Sequence, residues 1–206
     1  MAATPASTAA RPRRGRPSTG ARDRILDAAI DVLKSDGYAG LTLAKVAARA
    51  GESKPLVAYH FGSKQGLVGA AGLAIAEMIT DEVLAAVDGA ETVEAVIRGV
   101  DAGVERVLDQ DERVARLYFD LAAVSVVQPE IRRTIAEVNE QWREVLVRLL
   151  TEASDGLPRP KARVLTVLVV SGMQGMTLER IERGPTPERK RARELFIRAA
   201  VAAAAE

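Results

Sequence analysis

The side chains best placed to do chemistry in this sequence lie in two short stretches, and their types suit phosphate and base recognition. The first is the run from Arg11 to Pro17, RPRRGRP, where Arg14 and Arg16 flank Gly15 on a segment with no apolar periodicity. Guanidinium groups on such a segment can follow a narrow A·T-rich minor groove, where the negative potential is deepest. The second is Leu41–Lys64, LTLAKVAARAGESKPLVAYHFGSK, which gathers Thr42, Lys45, Ser53, Lys54, Pro55, Tyr59, His60 and Lys64. Chemistry of a covalent kind has little to work with. There is no cysteine and one histidine, so disulfides, thiolate zinc sites, a cysteine nucleophile and most metal or triad arrangements are excluded. Carboxylate pairs occur but no motif orders them, so an enzyme is not expected, and no cofactor or metal is implied.

Two short helices joined by a tight turn must position the second group. Leu43, Val46, Ala47 and Ala50 recur at helical spacing behind Thr42, a suitable N-cap. Gly51 supplies the positive φ that stops this helix, and Ser53 caps the next, with Lys54 and Pro55 in its first turn. Val57 and Phe61, four residues apart, anchor that second helix inward, which leaves Lys54, Pro55, Tyr59 and His60 facing outward. So short a helix is unstable alone and must be held by neighbours. The pattern predicts a helix-turn-helix, whose second helix enters the DNA major groove. Ser63 then caps a further helix with Lys64 in its first turn, a geometry suited to holding phosphate.

The run T-x-x-x-V-A-x-x-A-G-x-S-x-x-x-V-x-Y-H-F-x-S-K-x-G-L, Thr42 to Leu67, resembles the DNA-binding signature of the TetR family of bacterial transcriptional regulators. The amphipathic stretch Ala21–Thr42, with its Gly-Tyr ending, is similar to the family's first helix, and the likeness covers about residues 19–70. Two departures bear on contacts. The family commonly has a phosphate-contacting tyrosine where this chain has Ala58, which shifts that role to Tyr59 or His60. Glu52 stands in the turn where a small apolar residue is common; a carboxylate suits a helix N-terminus but repels phosphate. The Arg-Gly-Arg-Pro core also resembles AT-hook segments, and similar basic arms precede the first helix in many such proteins.

Charge is unevenly distributed. The formal net charge is +1, yet residues 1–64 hold eleven Lys/Arg against five Asp/Glu, and the remainder eighteen against twenty-three. A basic head on an acidic body is the footprint of a polyanion-binding module attached to a different working part. Nearly half the residues are apolar but few are aromatic, and β-branched runs bounded by turn residues are scarce, so helix is favoured throughout. No hydrophobic run near the N-terminus suggests a signal peptide. The uncharged stretch Val164–Leu178 is short for a membrane span and contains Ser171, Gly172, Gln174 and Gly175. A soluble, cytoplasmic protein without membrane contact is therefore expected.

Turn signals divide the rest into helices of about 64–87, 92–108, 112–127, 129–153, 160–183 and 187–204. The expected architecture is all-α: a disordered basic arm (1–18), a three-helix DNA-binding head with the helix-turn-helix (19–64), and a six-helix ligand-sensing and dimerisation bundle (65–206). Three head and six body helices match the TetR-family plan. Ile131, Ile135, Val138, Trp142, Val145 and Leu149 give the helix after Pro129 one apolar face, and Val164–Ile181 is apolar nearly all round, hence central. Tyr118, Phe119, Asn139, Trp142, Met173, Gln174 and Thr177 bring adaptable or polar groups into that apolar setting, as a cavity for a small, largely hydrophobic ligand requires.

The resemblance implies that the last two helices form a four-helix dimer interface. Gly172 and Gly175 would allow close approach, and Leu178, Ile181, Leu195, Phe196, Ala199 and Ala203 would supply apolar contact. It also implies a homodimeric repressor on a palindromic DNA operator, released by an effector through population shift. Open alternatives are ligand-independent or activating regulation, and a helical protein-interaction module without operator binding.

Overall fold

The computed structural model describes residues 20–206, and everything structural below concerns these. They form nine α-helices: α1 (Ala21–Gly40), α2 (Leu43–Ala50), α3 (Lys54–Phe61), α4 (Lys64–Val87), α5 (Val93–Gln110), α6 (Arg113–Val127), α7 (Pro129–Glu152), α8 (Arg159–Arg183) and α9 (Pro187–Ala205). The ends fall where the local chemistry places them. Thr42, Ser53, Ser63, Thr92 and Thr186 each accept a backbone N–H three residues on, at the starts of α2, α3, α4, α5 and α9. Gly51, in the left-handed region at φ 66°, closes α2. The apolar stripe of α1 breaks at Gly37, where φ 68° and ψ −177° interrupt the helix and turn Tyr38 away from the axis.

Two apolar clusters organise the molecule. The first joins α1, α2 and α3 to the N-terminal half of α4 and to α6 and α7, with Ile25, Leu41, Val57, Leu67, Leu121 and Ile131 at its centre. The reading helices therefore share a core with α6 and α7. The second joins the C-terminal half of α4 to α5, α7, α8 and α9 around Val83, Ile97, Leu146, Leu150 and Val169. α4 runs through both. Its tightest neighbour is α5, where Gly99 and Gly103 lie against Val87 and Val83; a Cβ on Gly103 would stand 2.6 Å from the Val83 Cα.

Charge completes the second cluster. Glu105 on α5 meets Arg180 of α8 at 3.0 Å and Arg189 and Arg193 of α9 at 3.2 and 3.3 Å. Burial disfavours ionisation of Glu105, but the surrounding guanidinium groups outweigh it and hold the carboxyl below its ordinary range. Burial instead pushes Asp101 up, against its pairing with Arg193. These links fasten α8 and α9 as a unit onto α5.

α8 is, among the described helices, long and apolar enough to cross a membrane by length and composition. The fold uses that content otherwise. Leu165, Val169, Val170 and Met173 enter the second cluster, while Val164, Val167, Leu168 and Leu178 form an exposed stripe on the other side, Val164 being 72% exposed.

Candidate DNA-binding face and ligand cavity

α3 is displayed as its pattern requires. Val57 and Phe61 are buried and Lys54, Pro55 and Tyr59 are exposed, Tyr59 by 75%. His60 is half-buried, its ring set edge-on to Tyr59 at 5.2 Å. The Thr42 and Ser53 hydroxyls use lone pairs to cap α2 and α3, at 3.1 and 3.3 Å. Each O–H remains able to donate to a phosphate. Lys54 is exposed and forms no ion pair among the described residues. Lys45, by contrast, is paired with Asp36 at 2.9 Å, and its hydrogen bond to that carboxylate lowers the Asp36 pKa.

Three features of the head were not legible in its sequence. Glu52 in the turn accepts a hydrogen bond from Arg24 on α1, so its carboxylate is matched by a guanidinium and does not stand as bare repulsion toward phosphate. Arg22 lies over the Phe61 ring at 5.3 Å, which brings a second α1 arginine beside the end of α3. Finally, Lys64 turns inward: its Nζ donates to the Tyr38 carbonyl at 2.6 Å and sits 4.1 Å from that ring's centre. A backbone acceptor and an aromatic face thus already engage this half-buried ammonium, and a phosphate contact by Lys64 would compete with them. Arg14 and Arg16 lie outside the described residues, and with them most of the head's excess positive charge, since residues 20–64 carry seven Lys/Arg against five Asp/Glu.

Tyr38 is the junction between head and body. Its N–H donates to Asp120 Oδ2 of α6 at 2.6 Å, and its hydroxyl donates to Gln128 Oε1, between α6 and α7, at 2.6 Å. The left-handed turn at Gly37 presents this N–H, and a Cβ there would come 3.0 Å from Asp120 Oδ2. One residue thus ties α1, α4, α6 and α7 together. Asp120→Ala is expected to cost about 2 kcal/mol, the scale of a hydrogen bond to a charged group. Urea denaturation checks the magnitude, and faster amide exchange at Tyr38 checks the site; unchanged exchange would count against the junction.

The body holds a partly open cavity of ≈ 170 Å³ between α4, α5, α6, α7 and α8. Tyr118, Phe119, Asn139, Trp142, Met173, Gln174 and Thr177 all line it. The sequence reading omitted the walls from α4 and α5, including Gly72, Ile75, Ile79, Val104 and Val107; these aliphatic positions look like ordinary core, and only the chain path shows that they face a void. Gln174 Nε2 donates to the Tyr118 hydroxyl at 2.6 Å, linking α6 to α8. Burial raises the Tyr118 pKa, opposed by hydrogen bonding from Asn139, the charge of Arg143 and the Gln174 contact. A second recess of ≈ 200 Å³ shares Ala76, Thr80, Val138 and Trp142 with the first and is bordered by Glu77 and Asp81.

The residues offered above as dimer contacts divide. Gly172 is covered within the chain by Phe196, whose ring would lie 2.2 Å from a Cβ at that position. This pair therefore packs α8 on α9 within the chain, and both residues stay partly exposed. Gly175, Leu178, Leu195 and Ala199 are exposed, and Ile181 and Ala203 half-exposed. A Cβ on Gly175 would meet nothing within 4 Å.

Comparison with known proteins agrees with this geometry. Residues 25–71 match the family model for bacterial regulatory proteins of the tetR family. The HTH-type transcriptional regulator BetI 1 of Chromohalobacter salexigens is 27% identical over 143 residues, 69% of each chain. The structure of SCO7518 from Streptomyces coelicolor A3(2) superposes with a TM-score of 0.72 at 23% identity, covering 91% of this chain and 99% of that one. The multidrug binding protein EbrR, complexed with imidazole, gives 0.65 at 26% identity over 86% of this chain and 93% of its own. Residues 25–71, a capped helix-turn-helix with α3 displayed, thus form a DNA-binding domain of the tetR type, and the chain as a whole is similar in sequence and architecture to TetR-family transcriptional regulators.

Proposed function

We propose that this regulator is a homodimeric repressor that holds a palindromic operator and is released by a small, largely apolar effector bound in the α4–α8 cavity. The observation that carries the reading is the exposed apolar stripe Val164, Val167, Leu168 and Leu178 on α8, beside Leu195 on α9. Large aliphatic side chains on one face of α8, interrupted by the small Ser171 and Gly175, call for a partner surface, and a second copy sets two α3 helices on successive turns of one DNA groove. That EbrR is a multidrug binding protein supports an effector role for the cavity.

α4 begins at Ser63 beside α3, passes the cavity at Gly72, Ile75 and Ile79, and ends in the second cluster. A ligand that prefers another packing of α4 and α6 biases the Tyr38 junction and with it the spacing of the two heads. It can shift that balance only by its differential affinity for the two states.

The test is to select bound genomic DNA fragments, establish the site, and measure affinity against salt. The selected site should be a palindrome. Lys54→Ala should weaken binding and reduce the slope of log K against log salt by about 0.9, the contribution of one neutralised phosphate. An unchanged slope would remove Lys54 from the contact set, and a site without twofold symmetry would count against the dimeric operator complex.

A further inference from the structure

We propose that the effector is an uncharged molecule bearing a hydrogen-bond acceptor, and that the Tyr118 hydroxyl is the donor that anchors it. The inference rests on the reading of the cavity as the effector site and specifies the chemistry of that site. No Asp, Glu, Lys, Arg or His is among the residues lining the ≈ 170 Å³ cavity. An ionised ligand group inside it would lose its hydration with no counter-charge in the lining, since Arg143, whose charge is felt at Tyr118, stands outside the lining and is paired with Glu140 at 3.7 Å; that cost favours neutral molecules. The polar contribution comes from side-chain amides and hydroxyls, with Tyr118 at their centre.

The hydrogen-bond directions around Tyr118 set its role. An amide nitrogen can only donate, so the bond from Gln174 Nε2, at 2.6 Å, occupies a lone pair of the phenol oxygen. Asn139 of α7 lines the same cavity. The phenol's own hydrogen is not required by Gln174, and burial keeps the hydroxyl protonated. A phenol whose oxygen already accepts from Gln174 and whose O–H remains to donate, in a mostly aliphatic cavity, selects a carbonyl, ether or similar acceptor. The two carboxylates near the cavity, Glu77 and Asp81, border the adjoining recess and are exposed to solvent. A cation attracted to them would remain in that recess, outside the cavity where Tyr118 acts.

Trp142 is the only tryptophan of the chain and forms part of the cavity wall, so its emission reports occupancy without a label. Full-length protein titrated with cyclooctanone, cyclooctane, cyclooctylammonium and cyclooctanecarboxylate compares one ring with four polar endings. Cyclooctanone is expected to bind about tenfold tighter than cyclooctane, the scale of one net hydrogen bond, and at least tenfold tighter than either ion. Tyr118→Phe should bring the ketone to the hydrocarbon's affinity and leave cyclooctane unchanged. An ion that binds as tightly as the ketone, or a ketone preference that survives Tyr118→Phe, overturns the proposal while leaving the cavity as the effector site. If all four leave Trp142 emission unchanged in folded protein, the cavity reading itself falls.

Discussion

Val167→Glu is expected to convert the protein into a folded monomer that binds its operator at least a hundredfold more weakly. Val167 is 56% exposed, so a glutamate there disturbs no intrachain packing and retains good helix propensity. In a dimer built on this stripe, the same carboxylate would be buried against an apolar partner helix, and its twofold mate would bring a second negative charge nearby. Two linked heads gain a factor of about 10² to 10⁴ from effective concentration alone, and a monomer loses that factor. Sedimentation equilibrium reads the assembly, circular dichroism the fold, and operator titration the affinity. A Val167→Glu protein that sediments as a dimer would place the interface elsewhere.

Gly103→Val should destabilise the fold by about 3 kcal/mol, at the upper end of the usual overpacking cost. The atoms in its way are the Val83 Cα at 2.6 Å, Val83 Cγ2 at 2.9 Å and the Glu82 carbonyl oxygen at 3.1 Å. Two of these are backbone, so no rotamer change relieves the clash and α4 must move away from α5. Because α4 also carries the contact between Lys64 and Tyr38, lost stability should be accompanied by a loosened head. Urea denaturation gives the first, and proteolysis near Lys64 gives the second. A stability within 1 kcal/mol of the parent, about the low end of overpacking costs, would mean that the α4–α5 approach is less tight than described.

What could be seen in the chain before its fold was known divides along a physical line. The sequence by itself determined the helices, the caps Thr42, Ser53 and Ser63, and the helix-turn-helix with Lys54, Pro55 and Tyr59 outward and Val57 and Phe61 inward. These follow from contacts between residues three or four apart, which periodicity and capping chemistry encode directly. Together with the family resemblance it also brought out seven residues that line the cavity, because polar and adaptable groups are conspicuous in aliphatic segments, but it missed Thr80.

Only the tertiary structure decided the partners of residues far apart in the chain. Lys64 turns to Tyr38, Glu52 is matched by Arg24, and Gly172 is filled by Phe196. Tyr38 reaches Asp120 and Gln128, 82 and 90 positions away. Gly99 and Gly103 matter because a second backbone passes beside them, and the aliphatic walls on α4 and α5 matter because the space they face is empty. Neither property belongs to the residue itself. Local chemistry shaped the helix that meets DNA, and long-range packing set which side chains are free to touch it and how the body is connected to it.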